Sequence, residues 1–434
     1  MIITGFEMKT RICKSATLLL ALGLGGGVAQ ANEAGFEYHG YLRTGTGVSK
    51  QQTQNSCFTM RNEPGYNPYR LGNECGFYME SILTYNFQKI EPNKPWFRTS
   101  LNLALVSDNL QNVESTSNGD FQIWNREVYV EGGNLVSEGS VLWMGKRFYK
   151  RRDVGLFDLF LVETNGLGAG LMEINMGPGK GHVAFMQYKG QDNVSFTATD
   201  SVSSPLVSTL DLRYDLPMQN SNLETILLYG QKSEKPSLGE ADFEYEKLSG
   251  YELTLIHTAS RGDEFKNTAY LQYGSGLFGS SLGGGNQLNG FESSTTTFPK
   301  ATGSDDLKKS QEKSYTIRAA DELVYNAESW DMASGLVLQQ ESFGDTKLTS
   351  DGKDAEDRQV VMFGIRPSYY LSEIWKVTLD GGYVAIKNNS DAAGSVQEDT
   401  SMTKETIALQ VQPGKGYASR PSLRFFVTNA QWDK

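Results

Sequence analysis

The stretch "WFRTSLNLAL", residues 96–105, decides the fold class because large apolar and polar side chains alternate along it. Successive side chains of an extended chain point to opposite faces. One face is apolar and carries Phe97, Leu101, Leu103 and Leu105. The opposite face is polar and carries Arg98, Ser100 and Asn102. The stretch therefore predicts a β-strand that separates an apolar environment from an aqueous one.

The same alternation recurs along most of the chain. "FEYHGYLRTG" (36–45) places Tyr41 and Arg43 on a polar face, and "ECGFYMESILTYNF" (74–87) does the same for Tyr78. Further matches are "LDLRYDL" (210–216), "LETILLYG" (223–230), "YELTLIHT" (251–258), "SYTIRAADELVY" (314–325), "VVMFGIRPSYYL" (360–371) and "SLRFFVTNAQW" (422–432). No segment supports a long helix comparably, so the sequence predicts an all-β, antiparallel protein.

Many alternating strands fit either soluble sandwiches or a membrane barrel. Barrel strands need about 9 to 11 residues, an apolar outer face and a polar interior. The polar faces here carry Arg, Glu, Asp and Asn at a density that is costly in a sandwich core but natural around water. Lipid forbids unpaired strand edges, so the pattern favours a closed transmembrane β-barrel over residues 32–434. The connections alternate in length, with short turns at 177–182 and 215–222 and long loops at 190–207, 231–248 and 275–313.

Residues 1–31 have the form of a secretory signal peptide, with a positive start, an apolar run and the small-residue site "AQA". The apolar run is shorter than the roughly 20 residues that a spanning helix needs. Removal of this segment takes away three cations and one carboxylate, so the formal charge changes from -11 to -13. This acidic balance argues against nucleic acid as a partner.

Three cysteines bear on the redox environment. Cys13 leaves with the signal peptide, whereas Cys57 and Cys75 remain. In an exported chain, two remaining thiols most simply form one disulfide, which stabilises by roughly 3 kcal/mol in the chain-entropy description. Two unpaired thiols are the alternative.

The stretch "GKRFYKRRDVGLFDLF", residues 145–160, combines dense charge with large apolar side chains. We interpret residues 150–171 as a long loop that follows a strand and folds into the barrel. Its charges would then face the water-filled lumen, while Leu156, Phe157 and Phe160 contact the barrel wall. Arginine and carboxylate groups in a narrow pore offer fixed donors and acceptors to a polar solute. The alternative is a loop that caps the barrel from outside.

Motifs of enzymes are scarce. His39, His182 and His257 lack the spacing of metal ligands, and no cofactor motif is convincing, so neither a metal nor a cofactor is predicted. Asp153 and Asp158 resemble an acid/base pair, but carboxylates beside several arginines are more often ionised partners. An outer-membrane β-barrel hydrolase is therefore the alternative from another functional class.

The motifs in their order along residues 36–433 resemble those of the maltoporins, the sugar-specific trimeric porins of Gram-negative outer membranes. They are "FEYHGYLRTGTGV", "YRLGNECGFYMES", "MGKRFYKRRDV" with "FD", "GLGAG", "FGIRPSYY" and "SRPSLRFFVTNAQWD". The resemblance implies an eighteen-stranded barrel, a homotrimer and contact with outer-membrane lipid. It also implies a disulfide between Cys57 and Cys75.

The resemblance further implies a path of aromatic rings beside a polar track that binds sugar hydroxyls. The aromatic positions are Tyr41 and Tyr78. The polar track and constriction correspond to Arg43, Arg70, Arg126, Arg151, Asp153, Asp158 and Phe160. Passive diffusion of maltose, maltodextrins or related sugars is thus the expected function, and a general or ion-conducting porin is the alternative.

Four departures from the family pattern bear on selectivity and closure. Phe160 stands where the family has a constricting Tyr, Val361 where it has an aromatic Trp, and residues 107–123 contain no Trp. The family continues with one more strand beyond the position of Lys434. The sequence therefore predicts either an unpaired edge, as in an incomplete reading frame, or direct pairing of the strand before the gap with the first strand.

Overall fold

The computed structural model describes residues 33–48, 60, 69–74, 76–107, 121–189, 194–195, 201–202, 206–232, 247–279, 312–345, 353–390 and 396–433. Residues 1–31, predicted as a signal peptide, lie outside these residues, as do Cys57, Cys75 and most of the segment 107–123. No helix within the described residues is long and apolar enough to span a membrane.

Strands account for most of the described chain. They are β1 (Gly35–Arg43), β2 (Phe77–Asn86), β3 (Trp96–Ser107), β4 (Phe121–Gly133), β5 (Val141–Val154), β6 (Leu159–Met176), β7 (Gly179–Lys189), β8 (Val194–Ser195), β9 (Ser201–Val202), β10 (Leu206–Met218), β11 (Ser221–Lys232), β12 (Leu248–Arg261), β13 (Phe265–Gly276), β14 (Tyr315–Asn326), β15 (Trp330–Ser342), β16 (Arg358–Tyr370), β17 (Trp375–Ser390), β18 (Gln397–Val411) and β19 (Leu423–Trp432).

The long strands form one antiparallel sheet in which neighbours along the chain pair with each other. β8 and β9 pair only with each other, so β7 pairs directly with β10. In the described residues this sheet has 17 strands, and no pairing joins β1 to β19. The predicted all-β antiparallel architecture is confirmed, while direct pairing of the first and last strands is absent from the described sheet.

The two faces of the sheet differ in chemistry. The outer face exposes large apolar side chains, among them Phe97, Leu142, Leu212, Leu253, Leu271, Phe363 and Ile407. The inner face buries polar and charged side chains, among them Asn102, Glu131, Asp211, Thr254, Arg318, Asp380 and Lys404. A soluble protein has the reverse arrangement. The outer face therefore fits hydrocarbon and the inner face fits water, as the sequence predicted.

Connections of unequal length define two ends of the sheet. Residues 177–178 and 219–220 are tight turns at one end, which we call the short-turn end. Residues 44–76 and 277–314 separate strands at the opposite, long-loop end. The predicted alternation of short and long connections is confirmed. In outer-membrane barrels the short turns face the periplasm.

The ends of β5 and β6 leave the sheet together as a hairpin. β5 pairs with β4 only as far as Lys146, and β6 pairs with β7 only from Leu167 onward. Residues 147–166, which we call the inner hairpin, pair with each other instead, with register shifts between Tyr149 and Asp153. Pairing between the two arms satisfies many of their backbone groups. Hence residues 150–171, predicted as a loop, are mostly strand, and only residues 155–158 form the turn.

Side chains of distant strands bind the backbone of the inner hairpin. Gln272 of β13 donates from Nε2 to the carbonyl oxygen of Leu161 at 2.7 Å. The Glu322 carboxylate of β14 accepts a hydrogen bond from the Gly155 amide at 2.9 Å. Because both strands lie far from β5 in the sheet order, the hairpin crosses the inner face instead of capping the sheet.

The tip of the hairpin packs into a gap that two glycines leave open. Leu156 and Phe157 are both fully buried. A Cβ atom added to Gly335 of β15 would lie 2.8 Å from the Phe157 ring, and one added to Gly364 of β16 would lie 3.0 Å from it. Burial of these two apolar side chains holds the tip of the hairpin against β15 and β16.

Residues 69–74, which we call the strap, continue the inner layer toward β19. Lys404 of β18 donates from Nζ to the carbonyl oxygens of Tyr69 at 2.7 Å and Leu71 at 2.6 Å. The strap meets the hairpin where the Arg70 amide donates to the Leu156 carbonyl at 3.4 Å. The hairpin and the strap together cover the inner face between β10 and β19.

Gly382 of β17 provides a test of the strap's position. A Cβ atom there would lie 2.2 Å from the ring of Tyr69, which is fully buried, whereas one at Gly381 would meet no heavy atom within 4 Å. We expect Gly382→Ala to destabilise the fold by about 1 to 3 kcal/mol through overpacking. Gly381→Ala, its matched control, is expected to stay within about 0.5 kcal/mol. Equal shifts in thermal unfolding for the two variants would contradict this placement.

Candidate functional site

The strap brings four charged or aromatic side chains together beside β1. The Arg70 guanidinium donates from Nη2 to the Tyr41 hydroxyl at 2.6 Å and to Glu74 Oε1 at 2.7 Å. Its Nη1 atom lies 3.5 Å from Asp158 Oδ1 at the tip of the inner hairpin. Arg70 therefore links the first strand, the strap and the hairpin at one point.

Neighbouring charges keep Arg70 and Glu74 ionised. Burial alone would raise the pKa of Glu74, but Arg70 and Arg424 outweigh burial and lower that pKa to about 2. Burial likewise acts to lower the pKa of Arg70, yet Glu74 and Asp158 hold it above its ordinary value. At neutral pH the lumen thus contains a permanent cation and a permanent anion side by side.

The two predicted tyrosines are neighbours on adjacent strands. The ring centroids of Tyr41 and Tyr78 lie 6.0 Å apart. The Arg43 guanidinium lies 5.3 Å from the centroid of Tyr78, because these two residues are in register across β1 and β2. The Tyr78 hydroxyl donates to Glu80. Flat apolar rings and charged groups therefore alternate over a short distance.

A second aromatic and arginine group lies at the base of the inner hairpin. The guanidinium groups of Arg151 and Arg126 lie 3.8 Å and 4.5 Å from the ring centroid of Phe148. Arg151 also lies 4.6 Å from the centroid of Phe160 and donates to Glu163 at 3.4 Å. The rings hold both guanidinium groups in fixed positions through cation–π contacts.

Glu80 joins the two groups. Its Oε1 atom lies 3.7 Å from Arg126 Nε, and its Oε2 atom accepts a hydrogen bond from Asn102 at 2.8 Å. Since Tyr78 also donates to Glu80, one carboxylate connects the tyrosine pair with the Phe148 group.

Asp153 lies near the turn of the inner hairpin. Its carbonyl oxygen accepts a hydrogen bond from the Tyr270 hydroxyl at 3.3 Å. Its carboxylate interacts electrostatically with Arg70, Asp158 and Arg151. All nine residues predicted for the aromatic path and the polar track thus fall within one connected region of the inner layer and the β1–β4 wall.

The structure adds three residues that sequence reasoning missed as site members: Glu74, Glu80 and Phe148. Glu74 and Glu80 share the polar face of "ECGFYMES" with Tyr78, so the alternation already contained a signal for them. Phe148 stands among cations in "GKRFYKRRD", but only the inward path of the hairpin brings Arg126 to its ring.

The expectation that Val361 occupies an aromatic lumen position is wrong. Val361 is exposed on the outer face, while Val360 and Met362 on either side of it are buried on the inner face. The two-residue period of β16 excludes Val361 from the lumen. A residue at this position contacts lipid instead of solute.

The family model described as "LamB porin" matches residues 36–434. The chain belongs to the LamB porin family. The predicted resemblance to the maltoporins is thereby confirmed, and the protein is a channel of the Gram-negative outer membrane rather than an enzyme. The hydrolase alternative is not supported.

Solved porin structures are similar to this porin at low sequence identity. OccAB4 of Acinetobacter baumannii is 11% identical, with 93% of this chain and 94% of that chain covered and a TM-score of 0.45. OccK8 (OprE) of Pseudomonas aeruginosa is 12% identical, with 82% and 89% covered and a TM-score of 0.45. OpdK of P. aeruginosa, solved with vanillate, is 12% identical, with 82% and 88% covered and a TM-score of 0.42.

Proposed function

We propose that this porin is a passive, sugar-selective channel for maltose, maltodextrins or related sugars. The observation that carries the proposal is the contact chain from Tyr41 through Tyr78 to Phe148, in which each ring lies beside at least one arginine. A sugar presents an apolar C–H face and a rim of hydroxyl groups. Rings and charged groups that alternate along a wall match both parts.

The rings supply stacking surfaces and the charges supply hydrogen bonds. Tyr41 and Tyr78 form the aromatic path. The polar track consists of Arg43, Arg70, Arg126, Arg151, Asp153 and Asp158, and Phe160 lies at the constriction. A sugar that moves along the track exchanges its hydrogen bonds with one residue for those with the next. Each binding step then stays weak enough for release, as conduction requires.

Bound pairs of opposite charge keep the track rigid. Arg70 is held by Glu74 and Asp158, and Arg126 is held by Glu80. A guanidinium that is already oriented loses little entropy when it donates to a solute. The inner hairpin and the strap therefore form one fixed inner layer that contacts β1 and β4.

A general or ion-conducting porin is the second candidate. Phe160 favours it, because a phenyl ring offers no hydroxyl at the constriction. Both candidates use the same passage and differ only in the affinity of that passage for sugars.

The homotrimer, the signal peptide of residues 1–31 and the Cys57–Cys75 disulfide belong to the same proposal. They rest on the sequence and on its likeness to the maltoporins. Intact mass of the exported protein tests the last two, since cleavage before Asn32 and the loss of two hydrogens are separate mass changes.

Block of ion current by sugar is the test of selectivity. We expect maltodextrins to interrupt the single-channel current of the wild type in planar bilayers. Tyr78→Ala is expected to weaken this binding about tenfold, because an aromatic face worth about 1.4 kcal/mol is lost. Tyr229→Ala is the matched control, since Tyr229 is exposed on the outer face of β11. The absence of block by any oligosaccharide would favour the general porin.

A further inference from the structure

Four cations line one recess on the inner face at the short-turn end. The recess is small and partly open to solvent. Its charged lining consists of Arg366, Lys376, Arg420 and Arg424. The other lining residues in the described chain are uncharged, Ser368 and Tyr417 among them. A purely cationic lining stands out in a chain with a formal charge of -11.

The connection between β18 and β19 forms one side of this recess. Residues 412–422 fold back toward β14 and β16, where the Gly416 amide donates to the Tyr370 hydroxyl at 2.6 Å and the Tyr417 amide donates to Asn326 Oδ1 at 2.9 Å. Arg420 belongs to this connection and is thereby placed opposite the side chains of the strands. The recess is built by tertiary structure and not by one loop.

Carboxylates neutralise the strand cations only in part. Arg366 donates from Nε to Asp380 Oδ2 at 2.6 Å, but Asp380 is shared with Lys404 at 3.1 Å. Lys376 is paired with Asp331 at 2.9 Å. Three cations on this wall therefore share two carboxylates.

Arg420 and Arg424 have the weakest anionic contacts. Arg420 donates to the carbonyl oxygens of Tyr417 and Ser419 at 3.0 Å and 2.8 Å, and no carboxylate oxygen of the described residues lies within 4.0 Å of it. Arg424 Nη1 lies 3.6 Å from Glu74 Oε2, and its buried Nε has no hydrogen-bond partner in the described chain. Both guanidinium groups therefore keep N–H donors that are available to a ligand.

Electrostatics agree with this geometry. Burial lowers the pKa of Arg420; Tyr417 opposes this effect, and the nearby charge of Arg366 adds to it. The Nη2 atom of Arg366 is also buried and has no hydrogen-bond partner among the described residues. An anion in the recess would relieve the repulsion and take up these donors.

We propose that this recess binds a tetrahedral oxyanion, either inorganic phosphate or the phosphate group of a sugar phosphate. Guanidinium forks match the oxygens of phosphate in pairs. The recess adjoins the sugar passage, since Glu74 contacts both Arg70 in the passage and Arg424 in the recess. The inference rests on the channel function, but not on selectivity for neutral sugars.

Current block by phosphate tests the site on the intact porin. We expect inorganic phosphate to reduce the chloride current of the wild type saturably. Arg420→Ala is expected to weaken phosphate binding about tenfold, as for the loss of one charge-assisted hydrogen bond. Lys415→Ala is the matched control, because it removes the same charge from the same connection while Lys415 is exposed and paired with Glu373 at 3.0 Å.

The same assay distinguishes a free phosphate from a sugar phosphate as the ligand, and it tests the phosphate site separately from the sugar-channel proposal. Tighter block by glucose 6-phosphate than by phosphate identifies a sugar phosphate, and equal block identifies the free anion. The site is ruled out if phosphate has no saturable effect, or if Lys415→Ala weakens it as much as Arg420→Ala does. If phosphate blocks the current but maltodextrins do not, only the sugar proposal is contradicted. If maltodextrins block the current but phosphate does not, only the phosphate site is contradicted. Heat-dependent gel mobility shows that each variant is folded.

Discussion

Replacement of Phe157 by alanine is expected to cost about 3 to 5 kcal/mol in the free energy of unfolding, as for other fully buried phenyl rings. The ring is fully buried at the tip of the inner hairpin, above Gly335 and Gly364. Its loss leaves a cavity beneath Leu156 and weakens the anchorage of the hairpin. We also expect noisier open-channel current, because Asp158 is the next residue and contacts Arg70. Thermal unfolding and single-channel recording measure the two effects.

Phe363→Ala is the control for this experiment. Phe363 lies next to Gly364 on β16, but its ring is on the outer face and 47% exposed. The same atoms are removed there without a cavity in the lumen. Equal destabilisation and equal current noise in the two variants would contradict the anchoring role of Phe157.

Lys404→Met is expected to produce the second large effect, a loss of roughly 3 to 5 kcal/mol typical of breaking a buried ion pair. Lys404 is fully buried, and its ammonium group contacts Asp380 as well as the carbonyl oxygens of Tyr69 and Leu71. Methionine keeps the length of the side chain but provides no donor. The strap should then separate from β18, and Arg70 should lose its fixed position beside Tyr41. Thermal unfolding and single-channel conductance report the outcome.

Lys387→Met removes the same charge from an exposed position on the adjacent strand β17. It should leave both stability and conductance near the wild-type values. If Lys404→Met behaves like Lys387→Met, the strap is held by other contacts and the interpretation of Lys404 is wrong.

The candidate site was predictable to different degrees in its different parts. Tyr41, Arg43 and Tyr78 were placed on one polar face by alternation alone, and register across β1 and β2 confirms that they are neighbours. Arg126 and Arg151 required the likeness to the maltoporins. Their common contact with Phe148 was not predictable, because it depends on where the inner hairpin crosses the sheet.

The cationic recess shows why some features escape sequence patterns altogether. Arg366, Lys376 and Arg424 lie on three strands that are adjacent in the sheet or nearly so, and each obeys the polar alternation of its own strand. Nothing in the spacing of these residues predicts a cluster. The inward fold of residues 412–422 adds Arg420 and completes the lining.

The amino-acid sequence by itself determined the all-β class, the division into a lipid face and an aqueous face, and the alternation of short and long connections. These properties follow from a period of two residues and from turn composition, which are local along the chain. Tertiary structure alone decided the path of the inner hairpin, the anchorage of the strap by Lys404 and the contact of Arg70 with Tyr41 and Asp158. Such contacts depend on strand order, register and packing between residues far apart in the chain, and no local pattern encodes them.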